Sequence, residues 1–148
     1  MVSEARAEVE ALLPHRAPFL FVDRIVERGG GTITTEWDVA PELECFRGHY
    51  PGEPVLPGVL ISEFCFQSGA LLIYGTSEAE RALPGVPVLT RIQDARFKRI
   101  VRPGATLRAE VRLDDSLANA RYLSAKVTSA GETVLRIQFA LAVTEAPS

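Results

Sequence analysis

Apolar positions recur along this chain in two rhythms, one helical and one alternating. After Ser3, a candidate N-cap, Ala5, Val9, Leu12 and Leu13 fall at i, i+4, i+7 and i+8 and predict a short amphipathic helix running to Pro14. Strands are predicted over 19–26 and 32–39, with Ile33, Thr35, Trp37 and Val39 on one face of the second and Gly29-Gly30-Gly31 as the hairpin turn between them. Residues 41–58 hold four prolines and three glycines, a density in which no regular element is expected. From Val59 to about Tyr74 the chain is helix-like and apolar nearly all round, the pattern of a helix buried on most sides. A polar connection follows, Thr76 to Gly85. Alternation returns over 88–101, 106–113, 120–128 and 133–143, where Leu135, Ile137, Phe139, Leu141 and Val143 share a face. Turn-rich joints at 102–105, 114–119 and 129–132 predict antiparallel pairing of neighbouring strands. The class is α+β: a single domain over 1–148 with a long central helix wrapped by a curved antiparallel sheet.

Composition narrows the function classes. Hydrophobic residues make up 47% and charged residues 24%, ordinary values that exclude disordered and fibrous classes. The apolar stretch Val59–Tyr74 is interrupted by Ser62, Glu63, Gln67 and Ser68, and is shorter than the roughly 20 residues a membrane span needs. The first residues carry acids and no apolar core, so neither a signal nor a transit peptide is read and a cytoplasmic location is expected. Two cysteines and two histidines without ligand spacing make no metal site. A net charge of −3 argues against general nucleic-acid binding, yet Arg91 to Arg112 holds seven basic residues against two acids.

Within the apolar helix, Glu63, Gln67, Ala70 and Tyr74 fall inside about 60° of arc at ~100° per residue, so its polar groups share one stripe. A carboxylate there needs a partner or a raised pKa. Two readings stand: Glu63 caps a loop or pairs with an arginine, or it works as an acid beside a base. His15, at the end of the first helix, suits a dipole or loop-packing role. His49, in Arg47-Gly48-His49-Tyr50-Pro51-Gly52, is flanked by glycines that admit close backbone approach and is the better candidate base. Pro57-Gly58 stand just ahead of the helix, whose first-turn N–H groups can hold a carbonyl oxygen that becomes enolate-like. Base, acid and oxyanion binder together suit removal of a proton next to a carbonyl and departure of a hydroxyl.

The run from Arg47 to Glu63, with Gln67 beyond it, resembles the active-site signature of the FabZ-type 3-hydroxyacyl-(acyl carrier protein) dehydratases. Residues 13–24, Leu-Pro-His-Arg-Ala-Pro-Phe-Leu-Phe-Val-Asp-Arg, resemble their N-terminal motif, and 95–104 their later strand and turn. The resemblance implies the hot-dog fold and a homodimer whose sites combine His49 of one subunit with Glu63 of the other. It implies that His49 takes the C2 proton of a 3-hydroxyacyl thioester and that Glu63 assists the leaving hydroxyl. The N–H groups of Gly58 and Val59 would polarise the thioester carbonyl, Gln67 would orient Glu63, and no cofactor is required. Glutamate at 63 fits this branch better than the related dehydratase/isomerases, which carry aspartate there.

Phe64, Cys65 and Phe66 depart from the small residues usual in that family. The two phenylalanines either repack the core or reshape an acyl tunnel, and Cys65 reads as inert packing. Arg96, Lys98 and Arg99 are either a solvated face or a docking site for an acidic carrier protein. Alternatives to housekeeping fatty-acid synthesis are the same dehydration in a specialised polyketide or polyene pathway, a hot-dog thioesterase, and a non-catalytic acyl-binding subunit.

Overall fold

The computed structural model describes residues 2–76 and 86–144. Its elements are α1 (Glu4–Leu12), β1 (Arg24–Gly29), β2 (Thr32–Asp38), a 3-10 turn (Glu44–Arg47), α2 (Gly58–Thr76), β3 (Val86–Phe97), β4 (Thr106–Leu117), β5 (Ala120–Ser129) and β6 (Glu132–Thr144). Ser3 caps α1 as expected, its side chain accepting from the Arg6 amide at 3.1 Å.

The six strands form one antiparallel sheet in the order β1-β2-β4-β5-β6-β3. Alternation decides its two faces. On β4, Leu107, Ala109 and Val111 are buried against α2 while Arg108, Glu110 and Arg112 face outward. Bulges between Leu89 and Arg91 and between Gln93 and Arg96 bend β3, which helps the sheet curl around the helix. α2 is the one helix among the described residues long and apolar enough to cross a membrane, and here the sheet supplies its apolar surroundings. Phe64 packs against Trp37 with ring centroids 5.7 Å apart, and Phe66 against Phe139 at 4.9 Å, so both rings fill the core. Cys65 is fully buried, and burial pushes its thiol up.

Three expectations need correction. The first strand begins at Arg24 rather than Phe19, because Phe19 and Phe21 give backbone groups to the Gln67 side chain instead of to a strand. Residues 41–58 contain the turn Glu44–Arg47, since their glycines and prolines cluster after position 47. The joint at 102–105 does not pair its flanking strands: β3 pairs with β6, and β4 with β2. The Val39 amide bonds Ala105 O at 2.8 Å, and Val39 O accepts from Gly104 at 2.7 Å, so this turn is drawn toward the end of β2. The connection expected over Thr76 to Gly85 lies, beyond Thr76, outside the described residues.

Candidate active site

Glu63 stands in the second turn of α2 with its side chain 22% exposed. One turn on, Gln67 donates from Nε2 to Glu63 Oε2 at 3.0 Å, which realises the stripe expected from helical spacing. Gln67 is itself buried and fully engaged: Oε1 accepts from the Phe21 amide at 2.8 Å, and Nε2 donates a second time, to Phe19 O at 3.1 Å. These backbone partners fix the amide's orientation and make it a donor to the carboxylate. Burial raises the Glu63 carboxyl above its ordinary value of 4.5, and the Gln67 bond opposes that rise.

His49 is held by its own loop. Its amide bonds Cys45 O at 3.0 Å, its carbonyl accepts from the Val55 amide at 2.9 Å, and its Nδ1 lies 2.8 Å from Val55 O. A carbonyl only accepts, so Nδ1 carries the hydrogen and Nε2 is left with a lone pair. The segment 50–53 folds back on itself through reciprocal Tyr50–Glu53 backbone bonds, and Leu56 then bonds Val101 O at 2.8 Å. The Tyr50 ring stacks on the imidazole with centroids 4.1 Å apart.

The chain next enters α2. Pro57 O accepts from Leu60 at 3.0 Å and from Ile61 at 3.4 Å, whereas the Gly58 and Val59 amides have no acceptor among the described residues. These are the free first-turn donors that the positive end of the helix offers to an anion. A Cβ at position 58 would come within 3.0 Å of the Phe97 ring, so glycine lets that ring close over the helix end.

Glu63, Gln67 and the start of α2 are therefore joined in one chain. Among the described residues, the groups meeting the Glu63 carboxylate are Gln67 and His15, while His49 meets Val55 and Tyr50; no ion pair within 4.0 Å links His49 to Glu63. His15, expected in a dipole or loop-packing role, also has its Nε2 3.9 Å from Glu63 Oε2. The usable signal was scarcity, since a chain with two histidines and one carboxylate on an apolar helix offers few pairings.

The basic residues divide. Arg96 lines a depression of about 930 Å³ on the outer face of the sheet with Arg108, Arg112, Lys126 and Arg136. Lys98 and Arg99 line a second, of about 650 Å³, with Arg102. Arg96 pairs with Asp94 at 3.2 Å and Arg99 with Glu132 at 3.0 Å.

Residues 13–138 match the FabA-like domain family, a span that takes in the loop, the helix and most of the sheet. The chain belongs to that family. Among FabA-like relatives, the 3-hydroxyacyl-(acyl-carrier-protein) dehydratase FabZ of Chloroflexus aggregans is 41% identical over 139 residues, 93% of this chain and 94% of its own length. A protein of the same name from Oenococcus oeni is 39% identical over 126 residues, 84% of this chain and 88% of its own. Among solved structures, the dehydratase heterocomplex ApeI:P from Xenorhabdus doucetiae matches with a TM-score of 0.79 at 14% identity, over 93% of this chain and 91% of that one. At that identity the likeness is one of fold, and it is the hot-dog fold: a central helix in a curved antiparallel sheet.

Proposed function

We infer that this protein dehydrates 3-hydroxyacyl chains borne on acyl carrier protein, the step of fatty-acid biosynthesis that yields a trans-2-enoyl thioester and water. The observation that carries this is the 41% identity, over nearly its whole length, with a dehydratase of that name. In the mechanism proposed, His49 Nε2 takes the C2 proton, because the Val55 carbonyl keeps the ring hydrogen on Nδ1. Charge moving to the thioester oxygen is met by the Gly58 and Val59 N–H groups. Glu63 gives its proton to the departing 3-hydroxyl, which leaves as water; burial favours the protonated acid this requires. The proton gained by His49 balances the one Glu63 loses, and exchange with solvent resets both. No cofactor enters these steps.

The site is proposed to be shared in a homodimer. Among the described residues the β3 edge has no strand beyond it and exposes Val88, Leu89, Ile92 and Phe97, which supports pairing with a second copy. His49 of one copy would then face Glu63 of the other. Docking of an acidic carrier protein is assigned to Arg96, Lys98 and Arg99, in the cytoplasm where such chains are built.

The reaction is reversible, so the test is hydration. Purified protein is incubated with a trans-2-enoyl carrier-protein thioester, and gain of one water is followed by intact mass. Hydration is expected, with losses on the order of 10²-fold or more in His49→Ala and Glu63→Ala. Reversing Arg96, Lys98 and Arg99 to glutamate is expected to raise KM for the carrier-borne substrate alone, and an unchanged KM would remove them from the docking site. Release of free thiol without hydration would make the protein a thioesterase instead.

A further inference from the structure

The proposed mechanism leaves unused the imidazole that, among the described residues, stands beside Glu63. His15 Nε2 lies 3.9 Å from Glu63 Oε2, the same oxygen that Gln67 holds at 3.0 Å. The backbone that carries the ring is tied down. Arg16 donates to the carbonyls of His15 at 2.6 Å and Leu13 at 2.7 Å and pairs with Glu10 at 3.1 Å, which fastens the segment to the end of α1. The other ring nitrogen, Nδ1, is buried with no hydrogen-bond partner among the described residues. An unpartnered buried nitrogen is costly, and an apolar side chain would fill the same space without that cost. The polar atom that His15 can use is Nε2, and it faces the carboxyl group.

We propose that His15 is a positioning residue for Glu63: its Nε2 faces carboxyl oxygen Oε2, which Gln67 already holds, so that Oε1 is the oxygen turned to substrate. The proposal rests on the dehydratase reading for its kinetic consequence, but its electrostatic part stands alone. Gln67 has spent both amide hydrogens and its carbonyl, so it cannot follow a change in the carboxyl's charge. Imidazole can. With its hydrogen on Nε2 it donates to the carboxylate left after proton transfer, across a gap that a small rotation closes. Burial, and then Arg16, hold His15 below its ordinary 6.5, so the ring is neutral at neutral pH. The charges facing the pair are few: Arg16 turned toward Glu10, no other cation within 4.0 Å of the Glu63 carboxylate among the described residues, and in the proposed dimer His49 of the partner subunit.

The experiment follows the Glu63 carboxyl by 13C NMR titration in the full chain, wild type against His15→Leu, His15→Gln and His15→Asn. Losing a donor to the charged form raises the titration, by about one pH unit if one charge-assisted hydrogen bond is lost. His15→Leu is expected to show that rise and a kcat about tenfold lower with KM little changed, the alkaline limb of kcat moving with the carboxyl. His15→Gln, whose amide nitrogen reaches the place of Nε2, restores both. His15→Asn is equally polar but too short, and behaves like His15→Leu; it also serves if His15→Leu fails to fold. A carboxyl titration unchanged in folded His15→Asn overturns the inference even where kcat falls, because packing then explains the loss. Wild-type protein that hydrates nothing overturns the dehydratase reading, and the titration still decides the role of His15.

Discussion

Ionising a carboxyl group within apolar packing takes free energy from the fold, and Glu63 is placed to incur that cost. Because burial raises its pKa, the folded chain keeps a proton that the unfolded chain releases once pH passes 4.5. Stability therefore falls as pH rises from 4.5 to the folded value, and the deficit persists above it. Glu63→Gln removes the deficit: its Tm should exceed that of the wild type at pH 8, with the gap closing below pH 4.5, while turnover is lost. Calorimetry at the two pH values checks this, and a variant less stable at pH 8 would mean that the carboxylate's partners outweigh its burial. His15 carries the same cost in the other direction. Its lowered pKa means that the unfolded chain takes up a proton near 6.5 before the folded chain does, so acidification through that value erodes stability.

For α2 as an element, the decisive contact is with the sheet. A Cβ at Gly69 would stand 3.0 Å from the Phe139 ring and 3.2 Å from a Leu123 methyl, both buried, so the helix rests on β5 and β6 at a glycine. Gly69→Ala gains up to about 1 kcal/mol of helix propensity but overpacks a core, which typically costs about 1–3 kcal/mol. A Tm drop of about 2–4 °C is expected, and a rise would show that the two side chains yield freely. Helical spacing made the Glu63–Gln67 stripe legible because 3.6-residue periodicity alone puts i and i+4 together. The irregular loop around His49 and the free donors at Gly58 and Val59 were legible from proline and glycine for a similar local reason. What the sequence hid was non-local. Phe19 and Phe21 read as strand because their alternation is genuine, yet their backbones serve a side chain 48 and 46 residues away. The same applies to His15, whose partner is set by how the α1 end meets α2, and to β3, whose turn-rich exit gave no sign that β6 would claim it.

At the scale of the whole molecule, a shared site makes a prediction that no single variant can make. If each site takes His49 from one subunit and Glu63 from the other, a mixed dimer of His49→Ala and Glu63→Ala has one site with both side chains intact. Equal mixing with free exchange makes half the dimers mixed, so about a quarter of wild-type hydration should return from two inactive proteins. Activity that stays absent after exchange is confirmed would place both groups in one subunit. The strand order has a separate bearing, on how the chain is made. Among the described residues β3 has a single neighbour in the sheet, and that neighbour, β6, starts 35 residues after β3 ends. As the chain leaves the ribosome, β4 and β5 can already join β2, whereas the 12 residues of β3 must wait with both edges bare and Leu89, Ile92 and Phe97 uncovered. A chain halted before β6 would thus leave bare, along both edges, the strand that in the finished sheet keeps one edge unpaired among the described residues.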